Sequence, residues 1–269
     1  MLQYTHTYLI NRLFQIKYGH NIPSNYAELL LGNVVPDLIP FIGTNDYQPL
    51  AHDFVRYENQ KNWRLLTLGG YFHILCDNIS TLGIPRFDGS YYDYDRLGFL
   101  EIRAGLVHLL DGLRTPLRRV LQCGLDFLVL RQMKSEMMQL IRLAVQFLNE
   151  NKNDVTEYFA SLYGVETSLL WPALSRLAMV YGDDFIETSS TVEHRAFPLA
   201  RDHGNLPLDT PPEIVGKYIE DHLMLVDVIK QNLHLIKNDW QAQLDYVVQV
   251  ALKNPTLEKQ LDLLVTSRS

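Results

Sequence analysis

His73 and Asp77 stand four residues apart in Leu68-Gly69-Gly70-Tyr71-Phe72-His73-Ile74-Leu75-Cys76-Asp77. On a helix that spacing places an imidazole and a carboxylate on one face, about one turn apart. Such a pair can share one metal ion, as other i, i+4 ligand pairs do. It can equally form a hydrogen bond inside a helix interface, and the spacing alone leaves both open. The surroundings are apolar, so two ionisable groups there are costly unless paired or bound to a cation. Gly69 and Gly70 lie about one turn before His73. Two glycines in a helix cost about 1–2 kcal/mol against alanine. Something must therefore need close approach at that point.

Three further residues join this pair. Asp37 is a lone carboxylate in the apolar, proline-flanked run Val34-Val35-Pro36-Asp37-Leu38-Ile39-Pro40. It wants a cation, an arginine or a helix N-terminus; the plain alternative is an N-cap for a short helix over Leu38 to Ile42. His52 follows in Ala51-His52-Asp53, and His6 lies in Tyr4-Thr5-His6-Thr7, beside the apolar stripe of the first amphipathic stretch. A lone histidine in such a place is ordinarily a satisfied core residue. Taken together, His6, Asp37, His52, His73 and Asp77 form an ordered set of imidazoles and carboxylates without a thiolate. That donor set suits zinc or another divalent cation in a hydrolytic site. Two such ions about 3.5–4 Å apart can clamp a phosphodiester and activate a water.

Over about its first 80 residues the chain resembles the zinc-dependent phospholipase C family, whose all-helical fold is shared with single-strand-specific zinc nucleases. The resemblance rests on Thr5-His6, then Gly32-Asn33-Val34-Val35-Pro36-Asp37, then His52, then Leu68-Gly69 through His73 to Asp77. It implies that Asp37, His52, His73 and Asp77 ligate one ion. It also implies that Asp77 bridges to a second ion which His6 helps to hold. Either a bound hydroxide or the Asp37 carboxylate is then the base, and the reaction is hydrolysis of a small-molecule or lipid phosphoester. Family members carry a further histidine shortly after the aspartate matching Asp77. Gly83, Ile84, Pro85 and Arg86 occupy that stretch here, and no histidine follows up to Glu101. Secreted members also begin at a metal-binding tryptophan, whereas this chain begins Met1-Leu2. One ion is therefore expected, with a second left open. Its remaining ligands would come from Asp88, Asp93, Asp95 or Glu101, or from His194, His203 or His222.

Two other readings compete. His52-Asp53 is an HD doublet, the mark of a superfamily of helical metal-dependent phosphohydrolases, with His20 and Asp77 as the remaining nominees. That scheme leaves His73 without a role. A non-catalytic helical protein keeping one structural metal site is the other alternative. His108 with Asp111, Asp221 with His222 and Asp227, and the histidines at 194 and 203 read as packed or solvated polar residues.

The elements that must position these residues are helical. Tyr4 to Tyr18 carries Leu9, Ile10, Leu13, Phe14 and Ile16 at helical spacing. Asn25 and Glu28 have capping-box spacing, and that helix is expected to stop at Gly32. Asn33 to Gln48 reads as irregular, a helix follows Pro49, and another spans about Asn62 to Ile79. Thr81 to Asp95 reads as a loop. Leu97 to Leu113, Pro116 to Leu121, Phe127 to Asn149, Asp154 to Tyr163 and Ser168 to Tyr181 read as helices. A helix to about Lys237 opens at Thr210-Pro211-Pro212-Glu213, after an irregular stretch, and two more follow. The expected fold is all-α: a multi-helix bundle of the zinc-dependent phospholipase C type with additional C-terminal helices. Residues 1–185 form the metal-binding part, and 186–269 an irregular segment and helices of the same domain.

The bulk properties agree with a folded chain and do not oppose one that holds cations. Of 269 residues, 47% are hydrophobic and 20% charged, which excludes a disordered chain. The net charge of −7 argues against nucleic-acid binding by bulk charge. Two cysteines are too few for a disulfide scaffold or a thiolate zinc site. The N-terminal stretch lacks the basic start and apolar block of a signal peptide, and no apolar run is long enough for a transmembrane segment, so a cytoplasmic protein is expected.

Overall fold

The computed structural model describes residues 3–19, 25–42, 52–81, 117–181, 213 and 240–266. The fold is all-α, and no strand occurs among the described residues. The centre of the bundle is the pair α2 (Tyr26–Val34) and α4 (Leu65–Thr81), which pack more extensively than any other described pair. Both are apolar around most of their circumference. Leu29, Leu30 and Leu31 are buried in α2; Leu65, Leu66, Leu68, Tyr71, Phe72, Ile74, Leu75 and Cys76 are buried in α4. A helix apolar on all sides belongs inside a bundle.

The crossing of these two helices depends on glycine. A Cβ at Gly32 would stand 2.2 Å from the Leu66 carbonyl oxygen, and one at Gly69 2.2 Å from the Leu29 carbonyl oxygen and 2.6 Å from the Asn33 nitrogen. Gly32 therefore does not stop α2, as its place in the sequence suggests. It serves close packing, and the chain continues helically to Val34 and then as a 3₁₀ segment, Val35–Ile42. The expected irregular stretch is thus ordered up to Ile42. The capping box at the start of α2 does not form either. Asn25 makes no side-chain cap bond, and Glu28 instead accepts from Arg64 Nε at 3.3 Å.

Around this centre lie α1 (Gln3–Tyr18), the short α3 (Phe54–Glu58), α5 (Leu117–Glu150), α6 (Lys152–Tyr163), α7 (Thr167–Tyr181), α8 (Trp240–Leu252) and α9 (Pro255–Thr266). Two helices are expected across α5, and two helices meet there at a kink, but it falls at Met133 (φ −130°, ψ 28°), and the chain stays helical through Gly124. One interior glycine costs only about 1 kcal/mol, which a long helix absorbs. Helix α6 ends at Gly164 with φ 68°, a left-handed cap.

Helices α8 and α9 share the core with α1 and α4. The Arg12 guanidinium forks onto Asp245 at 2.7 and 2.6 Å, and the Tyr71 hydroxyl donates to Asn254 Oδ1 at 3.2 Å. No helix among the described residues is long and apolar enough to cross a membrane. The helix expected over 97–113, the one over 210–237 apart from Glu213, and the loop at 81–95 beyond Thr81 lie outside the described residues.

Candidate metal centre

Four segments of chain deliver the site. His6 comes from the first turn of α1, Asp37 from the 3₁₀ segment, His52 from the turn before α3, and His73 with Asp77 from α4. One ligand atom each from Asp37, His52, His73 and Asp77 lies within 4.8 Å of the others. His73 Nε2 stands 3.5 Å from Asp37 Oδ1 and 3.7 Å from Asp77 Oδ2. His52 Nε2 stands 3.8 Å from each of the same two oxygens. These separations are too long for hydrogen bonds. They approach the spacing of neighbouring ligands on one ion, about 3.3 Å for a tetrahedral zinc with bonds near 2.0–2.1 Å.

The orientation of His73 is fixed. Its Nδ1 lies 2.7 Å from the Asn33 carbonyl oxygen, which can only accept, so the Nδ1 proton is donated there. Nε2 then turns its lone pair toward the two carboxylates, and it has no hydrogen-bond partner although the ring is fully buried. A buried imidazole anchored through one nitrogen with the other left open is how protein zinc ligands are held. Of the two readings open for His73 and Asp77, the simple hydrogen-bonded pair is thus not formed. Asp37 does not act as an N-cap. It lies inside the 3₁₀ segment with Oδ2 buried and without a partner.

His6 is adjacent but distinct. Its ring stacks on His73 with centroids 3.6 Å apart. Nε2 stands 3.2 Å from Asp77 Oδ1 without hydrogen-bond alignment, and Nδ1 has no partner. His6 is therefore not the satisfied core residue that its sequence context suggests. The Asn33 side chain braces this corner by donating to the His6 carbonyl at 2.9 Å.

The electrostatics follow from placing two carboxylates and two imidazoles where water is scarce. Burial alone would raise the Asp37 carboxyl, but His73 and His6 overcome it and hold the carboxyl below its ordinary value. Burial also opposes ionisation of Asp77, and His6 and His73 help to overcome it. For His73, burial disfavours the charged form, yet Asp37 and Asp77 outweigh it and raise the imidazole above 6.5. His6 goes the other way: burial, aided by the His73 charge, pushes it down to about 4. The two carboxylates thus favour a positive charge beside them. A divalent ion would neutralise both, so the donor set fits a cation in charge as well as in spacing.

Asn33 and Tyr57 contribute in ways the sequence did not announce. Asn33 acts mainly through a backbone carbonyl, which any residue carries. Tyr57 is the fully buried residue of α3, and only the unexplained Gly70 hinted that something would press on α4 there. Asp53, the partner of His52 in the HD doublet, caps α3 instead, accepting from the Val55 N–H at 3.1 Å. The other nominees, His20, Asp88, Asp93, Asp95, Glu101, His108, Asp111, His194, His203, Asp221, His222 and Asp227, lie outside the described residues. No protein-family model matches the chain, and no curated protein or solved structure matches it either.

Proposed function

We propose that this protein is a metal-dependent hydrolase of a phosphoric ester, of the phospholipase C-like type, working with zinc or a comparable divalent cation. The observation that carries the proposal is the convergence of Asp37, His52, His73 and Asp77, from three separate segments of chain, to within 4.8 Å of one another. A cation held by these residues supplies Lewis acidity and lowers the pKa of water. The chain's own residues supply the rest. The Asn33 carbonyl keeps His73 in the tautomer that exposes Nε2. The Asp37 carboxylate, unpartnered at Oδ2, is the base that receives a proton from the attacking water. His6, kept neutral by burial and 3.2 Å from Asp77, would help to hold a second ion if one binds.

The HD-type alternative fits less well. It leaves His73 idle, whereas His73 stands at the centre of the cluster, and it needs Asp53, which is engaged as a helix cap. The test is hydrolysis of a generic aryl phosphodiester by chelator-treated protein before and after adding zinc, manganese or cobalt. Turnover that disappears with chelation and returns with one of these ions supports the proposal. One tightly held ion with no turnover on any phosphoester would leave a structural metal site and overturn the catalytic reading.

A further inference from the structure

Three of the four clustered ligands sit on elements locked into the core, but His52 does not. It occupies the turn before α3, a helix of only five residues with Val55 more than half exposed. A helix that short has no stability of its own. Phe54 packs on the Tyr71 ring with centroids 4.6 Å apart, and Arg56 donates to the Leu162 carbonyl at 2.9 Å, but Tyr57 is the residue of α3 that is fully buried. The Tyr57 ring is fully buried against α4 at Gly70, where a Cβ would stand 2.4 Å from its Cε1 and 2.9 Å from its hydroxyl oxygen. From the far side, the Tyr57 hydroxyl pairs with the Tyr163 hydroxyl at 2.7 Å, so the ring cannot simply withdraw. Gly70 lies three residues before His73 on the same helix. The seat of Tyr57 and the ligands of α4 therefore share one rigid body.

We propose that Gly70 and Tyr57 are positioning residues for the metal centre: the missing side chain at Gly70 forms the notch that seats Tyr57, and this seat sets where α3 holds His52. The inference rests on the metal-centre reading. It assigns one member of the Gly69-Gly70 pair a task separate from helix crossing, because Gly69 faces α2 while Gly70 faces Tyr57.

The test uses the full chain and Co²⁺ alone, read by its ligand-field absorption and by titration. Gly70→Ala should lower Co²⁺ affinity by about 10–100-fold, as changes behind a metal ligand typically do. Its spectrum should shift toward that of His52→Ala. In a His52→Ala background, Gly70→Ala should cost less than about twofold, because the ligand it positions is gone. Tyr57→Leu, which keeps apolar volume but loses the ring and hydroxyl, should behave alike and carries the test if Gly70→Ala does not fold. Leu148→Ala, a core truncation in α5, should lower stability and leave the Co²⁺ spectrum unchanged. Wild-type affinity and spectrum in the folded variants would overturn the inference, as would a full penalty that persists without His52. If wild type and His52→Ala bind Co²⁺ equally, the metal-centre reading itself fails, and this inference falls with it.

Discussion

Gly69→Ala sets helix propensity against packing, and the two give opposite signs. Alanine in place of an interior helical glycine gains about 1 kcal/mol when nothing else changes. Here the added methyl would meet only backbone: the Leu29 oxygen at 2.2 Å, the Asn33 nitrogen at 2.6 Å and the Gly32 carbon at 2.9 Å. No side chain can rotate away. To restore ordinary contact the helices must part by about 1 Å. Overpacking of this kind costs about 1–3 kcal/mol, occasionally more. The same displacement would lengthen the bond from His73 Nδ1 to the Asn33 oxygen from 2.7 Å to about 3.7 Å, beyond hydrogen bonding. Leaving that buried donor unmade costs about 1–3 kcal/mol more. After the propensity gain, the net loss is about 1–5 kcal/mol, or a melting temperature lower by about 2–20 °C. Urea unfolding and thermal melts of the metal-free protein, followed by circular dichroism, measure it. A Gly69→Ala protein as stable as wild type, or more so, would refute the claim that α2 and α4 touch through their backbones.

Chelation should lower the melting temperature of the metal-loaded protein. An ion at one hundred times its Kd contributes about 2.7 kcal/mol, or roughly 5–10 °C, and Asp37→Asn with His73→Phe should abolish the difference. Metal uptake should release about one proton below the raised pKa of His73, so affinity should climb with pH; calorimetry in buffers of different ionisation enthalpy counts that proton. Acid should weaken the metal-free fold in two stages. His6 has a folded pKa of about 4 against 6.5 unfolded, so the unfolded chain takes up the extra proton between these values and stability declines as pH drops from 6.5 to 4. The loss is of order 3 kcal/mol, and His6→Gln should flatten that window in urea melts across pH. Below about 4 the lowered carboxyls of Asp37 and Asp77 lose their share as they protonate.

The sequence made the helical character plain wherever a helix meets solvent on one side, as in α1 and α6, since an apolar stripe then alternates with polar residues. It was least clear at α2 and its 3₁₀ continuation. There burial on all sides removes the stripe, and glycine and proline mimic punctuation while serving packing. Site residues stood out because histidine and aspartate are conspicuous among leucines. The groups that aim them did not. A main-chain carbonyl at Asn33 has no distinctive residue type, and Tyr57 looks like any aromatic in a short polar segment. Gly69 and Gly70 were legible as an anomaly, but only coordinates separate the helix crossing from the tyrosine seat.

The bonds from Tyr71 to Asn254 and from Tyr8 to Asp245 join residues 183 and 237 positions apart. On a ribosome, α1 and α4 therefore emerge long before the helices that cover them. Until residues near Leu261 have been synthesised, the apolar flank of the ligand-bearing helices faces water or a chaperone. A nascent chain halted before α8 would carry Asp37, His52, His73 and Asp77 and still lack the scaffold that keeps them in register.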